Sequence, residues 1–233
     1  MASRVIAHRG ASTRRDGSRI RENTLEAFER AIELGADGID FDVRRTSDDV
    51  LVVHHDVHLD DGRSVREVHS AELPDWLPTL AEALEVCSDT WLNVEVKNLP
   101  GDPDYDETYG ISLAVAALIQ AFQATERVHV SSFDFGSVQR IRNHDPSIPI
   151  GWIVWGHANP MQIVARAVGT VDALHPSEML VDRTLMRMCR EADLDVITWT
   201  VNDPDRVVEL HGLRVDGIVT DQIAMARNVL YGE

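Results

Sequence analysis

Five short polar clusters punctuate the first hundred residues: His8-Arg9-Gly10, Glu22-Asn23-Thr24, Asp40-Phe41-Asp42, His54-His55-Asp56 and Glu95-Val96-Lys97. They supply two candidate proton carriers, His8 and His55, because an imidazole titrates near neutrality. Asp40, Asp42 and Glu95 offer hard oxygen donors, which suit Mg²⁺ or Ca²⁺ better than zinc. Arg9 and Lys97 are cations for a phosphate. Few chemistries use all of these together; metal-assisted cleavage of a phosphodiester is one. Lys97 is also the only lysine in the chain, so a composition built on arginine keeps one compact ammonium beside a carboxylate.

Strand alternation sorts these residues further. A two-residue period puts Asp40 with Asp42, and Glu95 with Lys97, on shared faces. It turns His54 away from His55, which gives His54 a structural role. Three carboxylates from neighbouring strands repel unless they are protonated or bridged by a cation. The plainer reading of Asp40 and Asp42 is a solvated pair at a rim. Asn23, with Glu26 three residues on, reads as a helix cap. Asp221 reads as the cap of the last helix, and Trp199 as either a wall of the site or a core residue.

These groups need a frame to bring them together. Strand-like runs fall at 5–7, 38–43, 91–96, 128–131, 150–154, 173–175, 196–201 and 217–220. Helical periodicity falls at 24–34, 80–87, 112–124, 135–143, 160–168, 183–192, 205–211 and 223–230. Eight strands, each followed by a helix, predict a closed TIM (β/α)₈ barrel whose working side chains lie at the C-terminal strand ends. In the first helix Leu25, Phe28 and Ile32 form the inward stripe and Gly35 ends the helix. The run at 51–55 follows the second strand after only Thr46-Ser47-Asp48-Asp49. That turn is too short for a crossover helix, so the run is an antiparallel hairpin arm outside the parallel count. No linker or repeat interrupts the pattern, which reads as one domain over 1–233.

Composition narrows the partners. An apolar fraction of 44% supports a large core, and the net charge of −17 argues against nucleic acid or an anionic membrane as a bulk partner. An anionic substrate then needs a locally positive site. No run approaches the ~20 apolar residues of a membrane span. The start, Met1-Ala2-Ser3-Arg4, leads straight into a strand without a signal-like segment, which gives a cytoplasmic expectation. Cys87 and Cys189 lack metal-type spacing and read as buried thiols.

Further motifs follow in order: Val52-Val53-His54-His55-Asp56, Pro78-Thr79-Leu80, Ser131-Ser132-Phe133, Trp199-Thr200-Val201-Asn202 and Gly217-Ile218-Val219-Thr220-Asp221. With the clusters above, this ordered set resembles the glycerophosphodiester phosphodiesterase family over nearly the whole chain. The resemblance implies a barrel enzyme that hydrolyses small glycerophosphodiesters to an alcohol and sn-glycerol 3-phosphate. It implies His8 and His55 as general acid and base, Arg9 and Lys97 on the phosphate, and Asp40, Asp42 and Glu95 on a divalent metal.

There are three departures. Asp40 stands where the family usually has Glu, one methylene longer, which favours Mg²⁺ over Ca²⁺ because Mg²⁺ keeps waters and tolerates indirect contact. The loop before the first helix is long and carries Arg14, Arg15, Arg19 and Arg21. The insertion that usually follows the second histidine is trimmed to 62–77. Two competing readings are lipid head-group cleavage of the lysophospholipase D or sphingomyelinase D type, and a catalytically silent phosphate-ester binder. The first needs an apolar mouth, for which Trp152, Trp155 and Trp199 are the candidates. Retention of His8, His55, Glu95 and Lys97 counts against the second.

Overall fold

The computed structural model describes residues 3–13, 16–156 and 159–232, so Arg14 and Arg15 of the first loop lie outside the described residues. Among the described residues nine strands form one sheet: β1 (Arg4–His8), β2 (Gly38–Arg45), β3 (Leu51–Val53), β4 (Trp91–Val96), β5 (Val128–Ser132), β6 (Ile150–Val154), β7 (Ala173–Pro176), β8 (Asp195–Thr198) and β9 (Gly217–Thr220). β1 pairs in parallel with both β9 and β2, and that closes eight parallel strands into the expected barrel. β3 is the exception. It runs antiparallel to the end of β2, with Val43 opposite Val53, as the short turn required.

Among the described residues eight α-helices follow the barrel strands, seven of them in crossovers and the last after β9: α1 (Leu25–Glu33), α2 (Leu80–Val86), α3 (Gly110–Ala121), α4 (Phe135–His144), α5 (Pro160–Ala167), α6 (Arg183–Glu191), α7 (Pro204–Gly212) and α8 (Ile223–Tyr231). One continuous apolar layer lies between strands and helices, including Phe28, Phe41, Leu84, Val94 and Ile119. The barrel interior is different. Its apolar part is a small cluster of Ile6, Ile197 and Val219, with Trp91 and Trp199 packed on it. Buried Asn93, His129, Ser131 and His175 share the interior strands. The helix-facing side therefore carries most of the hydrophobic driving force, and the inner face is left free for polar chemistry.

Several local expectations need correction. Thr24, not Asn23, caps α1: its side chain accepts from the Ala27 N–H. The inward stripe of α1 is Ala27, Phe28 and Ala31, while Ile32 is 39% exposed. β3 stops at Val53, so His54 and His55 lie just past it, and β8 stops at Thr198, one residue before Trp199. Gln222 occupies the N-cap position of α8 with no side-chain cap bond, so Asp221 is not a helix cap. The trimmed segment at 62–77 folds as two 3₁₀ turns, Val65–Glu67 and Ser70–Glu72, over its own cluster of Val52, Leu59, Val65, Val68 and Leu77.

Two glycines hold close approaches that matter for the site. Gly10 has φ +83°, and a Cβ there would lie 2.7 Å from the Ala27 backbone, so only glycine lets the turn after β1 lie against α1. A Cβ on Gly151 would lie 2.4 Å from His175 Nε2, so its absence leaves space for the stacked His129 and His175 rings inside the barrel. Cys87 and Cys189 are buried and unbridged. No helix among the described residues is long and apolar enough to cross a membrane.

Candidate active site

A cavity of about 120 Å³ opens over the barrel axis at the C-terminal strand ends. His8, Arg9, Asp40, His55, Glu95 and Lys97 all line it, so residues spread over ninety positions meet in one place. Trp199 and Phe133 form an aromatic wall, 5.4 Å apart and edge to face. Trp199 is held by its indole N–H, which donates to the His175 carbonyl oxygen at 2.8 Å. His54 is elsewhere, near the His58 carbonyl and the Trp76 ring, although it lies past the strand whose alternation was to separate it from His55.

Each histidine has a carboxylate on its Nδ1. His8 Nδ1 lies 2.8 Å from Asp221 Oδ1, and the other Asp221 oxygen accepts from the Asn202 side-chain amide at 2.7 Å. Burial alone pulls the His8 pKa down, but the Asp221 hydrogen bond and the Asp40 charge outweigh it and hold it above the ordinary value. His55 Nδ1 lies 2.7 Å from Asp56 Oδ1, its sequence neighbour. Here burial, helped by the charges of Lys97 and Arg9, lowers the pKa despite the Asp42 charge.

The acidic residues come together around cations. Asp42 is 3% exposed; its Oδ1 lies 3.2 Å from Lys97 Nζ and its Oδ2 lies 3.3 Å from Arg9 Nε. Asn23 donates its amide to the same Oδ2 at 2.9 Å. Burial raises the Asp42 pKa, but Lys97 and Arg9 more than reverse that, and it stays ionised well below the usual carboxylate range. Glu95 takes a 2.6 Å bond from Lys97, yet burial beside Asp42 and Asp40 pushes its pKa up to about 7. Asp40 accepts from Asn93 Nδ2 at 2.5 Å, and burial raises its pKa as well.

Burial is thus the main cause that raises Glu95 and Asp40, and the neighbouring carboxylates add to it. In donor type and charge the three carboxylates fit a divalent cation. In placement they are not preassembled: among the described residues no three His, Cys, Asp or Glu side chains are grouped as a metal centre. Lys97 occupies the space between Asp42 and Glu95, and Asp40 is committed to Asn93.

Two residues of the site have left-handed backbone. Arg9 and Asn23 adopt φ of 54° and 56°, a region costly for non-glycine residues. They are tied together, the Asn23 N–H donating to the Arg9 carbonyl at 3.0 Å while the Arg9 N–H donates to the Asp40 carbonyl at 2.6 Å. Sequence reasoning missed Asn23, Asn93, Asn202 and Asp221 as parts of the site. Asn23 and Asp221 each stood before a helix and so read as caps. Asn202 stood in the Trp199-Thr200-Val201-Asn202 motif without a role, and Asn93 carries no local signal; their partners lie 19 and 53 residues away.

A (β/α)₈ barrel whose strand ends gather two carboxylate-backed histidines, buried acids and two cations belongs with enzymes acting on phosphate esters. Residues 8–225 match the Glycerophosphoryl diester phosphodiesterase family, and the chain belongs to that family of phosphoric diester hydrolases. It is 31% identical over 242 residues to the "Glycerophosphodiester phosphodiesterase" of Caldanaerobacter subterraneus subsp. tengcongensis, covering 95% of each chain. A solved glycerophosphodiester phosphodiesterase from Parabacteroides distasonis superimposes with a TM-score of 0.85 at 25% identity, over 99% of this chain and 98% of that one. The Thermotoga maritima glycerophosphodiester phosphodiesterase gives a TM-score of 0.78 at 25% identity, over 97% of each chain.

Proposed function

We propose that this chain, acting as one domain, hydrolyses glycerophosphodiesters to an alcohol and sn-glycerol 3-phosphate, with a divalent metal and with His8 and His55 as the proton carriers. The observation that carries this reading is the meeting of His8, Arg9, Asp40, His55, Glu95 and Lys97 in one cavity. One histidine takes the proton of the nucleophile, either water or the substrate's own glycerol hydroxyl by way of a cyclic phosphate that water then opens, while the other protonates the departing alkoxide. Asp221 and Asp56 orient the two rings and stabilise whichever imidazolium forms. Arg9 and Lys97 neutralise charge on the phosphoryl oxygens, a role that requires Lys97 to exchange part of its contact with Glu95 for substrate.

Asp40, Asp42 and Glu95 are the residues that would hold the cation, which when bound supplies Lewis-acid neutralisation of the phosphate. Mg²⁺ is the better match, because the short Asp40 side chain already engaged with Asn93 favours indirect contact through water. The test is release of sn-glycerol 3-phosphate from glycerophosphocholine or glycerophosphoethanolamine with Mg²⁺, with Ca²⁺ or with excess EDTA. Turnover with Mg²⁺, less with Ca²⁺ and none with EDTA is expected. Full activity in EDTA, with no tightly held metal by elemental analysis, sinks the metal assignment; no product under any condition sinks the hydrolase reading.

A further inference from the structure

His55 lies past the end of β3, in a stretch of chain with little main-chain support. Before it, the His54 N–H donates to the Asp42 carbonyl at 3.0 Å; after it, the Val57 carbonyl accepts from the Val65 N–H at 2.9 Å. Between these, among the described residues, neither His55 nor Asp56 makes a backbone–backbone hydrogen bond. Asp56 orients the His55 ring, but it hangs on the same stretch and cannot by itself place that ring in the cavity. The bond that reaches the stretch from elsewhere comes from a side chain: Arg44 Nε donates to the His55 carbonyl at 2.8 Å.

Arg44 is itself held at both ends. Its backbone sits in β2, paired with Val52 of the hairpin arm, and strand alternation puts it on the face of Asp40 and Asp42. Its Nη1 donates to Asp104 Oδ2 at 2.5 Å, and both side chains are buried, 4% and 8% exposed. Asp104 belongs to the segment that follows Lys97, and that segment is pinned in turn. There the Asp106 N–H donates to Asn98 Oδ1 at 2.7 Å, and the Asp106 carboxylate pairs with Arg45 at 2.8 Å.

We propose that Arg44 is the positioning residue for His55: its guanidinium joins the His55 carbonyl to Asp104 and so sets where the rim histidine enters the cavity. The proposal rests on the diesterase reading above and concerns the same site. Arg44 acts through His55 and not on substrate, because it is buried and committed, which leaves the phosphate to Arg9 and Lys97. A guanidinium can hold a carboxylate and a carbonyl at once because its donors lie in one rigid plane. A lysine ammonium in its place pairs with Asp104 and lets the carbonyl go.

The test is Arg44→Lys, which keeps the charge opposite Asp104, assayed on glycerophosphocholine in the wild-type and His55→Ala backgrounds. A general acid or base acts in the transition state, so displacing it lowers kcat and leaves KM nearly unchanged. A kcat loss of about tenfold or more is expected, within the ~10²-fold that a misplacement of about 1 Å can cost. In His55→Ala there is no ring left to position, and Arg44→Lys should add little to the lesion. An equal loss in both backgrounds makes Arg44 merely structural and overturns the proposal, as does wild-type kcat in Arg44→Lys. Should Arg44→Lys not fold, Asp104→Asn, which frees the far end of the guanidinium, takes its place with the same outcomes. Histidine NMR gives a readout independent of turnover. The His55 ring signals, assigned by their loss in His55→Ala, should move in Arg44→Lys while those of His8 stay. If no diester is cleaved, the hydrolase reading fails and these signals decide alone; unmoved His55 signals overturn the positioning role.

Discussion

His8 and His55 line the same cavity but are held by opposite means. His8 ends a barrel strand, and its carboxylate partner, Asp221, arrives from the far end of the chain, 213 residues away, itself bound to Asn202. His55 follows the hairpin arm β3, and its partner is its neighbour Asp56. The first pair has side-chain exposures of 21% and 39%; the second has 34% and 75%. Water screens the His55 pair more strongly, so Asp56 holds its ring more weakly than Asp221 holds His8. The pKa shifts run in opposite directions: the Asp221 hydrogen bond and the Asp40 charge raise His8 against its burial, whereas burial with the Lys97 and Arg9 charges lowers His55. One histidine is thus built into the barrel and the other is added at its rim.

The largest effect should come from removing either ring. His8→Ala and His55→Ala should each lower kcat by at least ~10²-fold, the scale of a general acid or base, and His54→Ala by far less. A His54→Ala lesion worse than His55→Ala in a steady-state assay would reverse the assignment at the rim. Next come the partners. Asp221→Asn should cost at least about tenfold in kcat, because the His8 ring loses its orienting charge, and Asp56→Asn should cost less. The sign for pH is definite: the Asp221 anion stabilises the His8 imidazolium, so its loss lowers the His8 pKa and moves one limb of the pH–rate profile to lower pH. A shift of the acidic limb identifies His8 as the base, and a shift of the alkaline limb identifies it as the acid. Equal lesions from the two carboxylates would erase the contrast between anchored and added histidines.

A smaller effect is expected at Lys97, which lines the cavity with both histidines. Lys97→Arg preserves charge but replaces a point ammonium with a planar fork that binds Glu95 in two-point fashion. A loss on the order of tenfold in kcat/KM is the scale of one weakened charge-assisted contact. Wild-type kinetics would make the solitary lysine incidental. The smallest effects are in stability. Asn23→Ala removes a buried bond to Asp42 and places Ala at positive φ, for about 1–3 kcal/mol in urea unfolding plus a loss of rate. Thr24→Ala removes only the α1 cap, for about 1 kcal/mol and little rate change. Comparable rate losses in the two variants would return Asn23 to a purely structural role.

Much of this was legible because strand-end chemistry is local. His8, Asp40, Asp42, Glu95 and Lys97 each sit in or at the end of an apolar run whose alternation fixes a face, and the hairpin follows from a four-residue turn. Element ends were less legible, as at His54–His55 and Trp199, because single backbone bonds, from the His54 N–H to the Asp42 carbonyl and from the Trp199 N–H to the Pro176 carbonyl, continue past the last strand residue. The cap readings of Asn23 and Asp221 failed for a specific reason. An Asn or Asp before a helix can bond the helix N–H groups or a distant side chain, and the local sequence is the same in both cases.

By itself the amino-acid sequence determined the barrel, the set of reactive side chains and the chemistry they suit, since hydrophobic period and residue type are properties of short segments. Tertiary structure alone decided the partnerships: Asp221 behind His8, Asn23 on Asp42, Asn93 on Asp40, and Lys97 between Asp42 and Glu95. Those depend on closure of β9 against β1 and on the register of β1, β2 and β4. The pKa of a buried group follows its neighbours in space, and closure of the barrel is what chooses them.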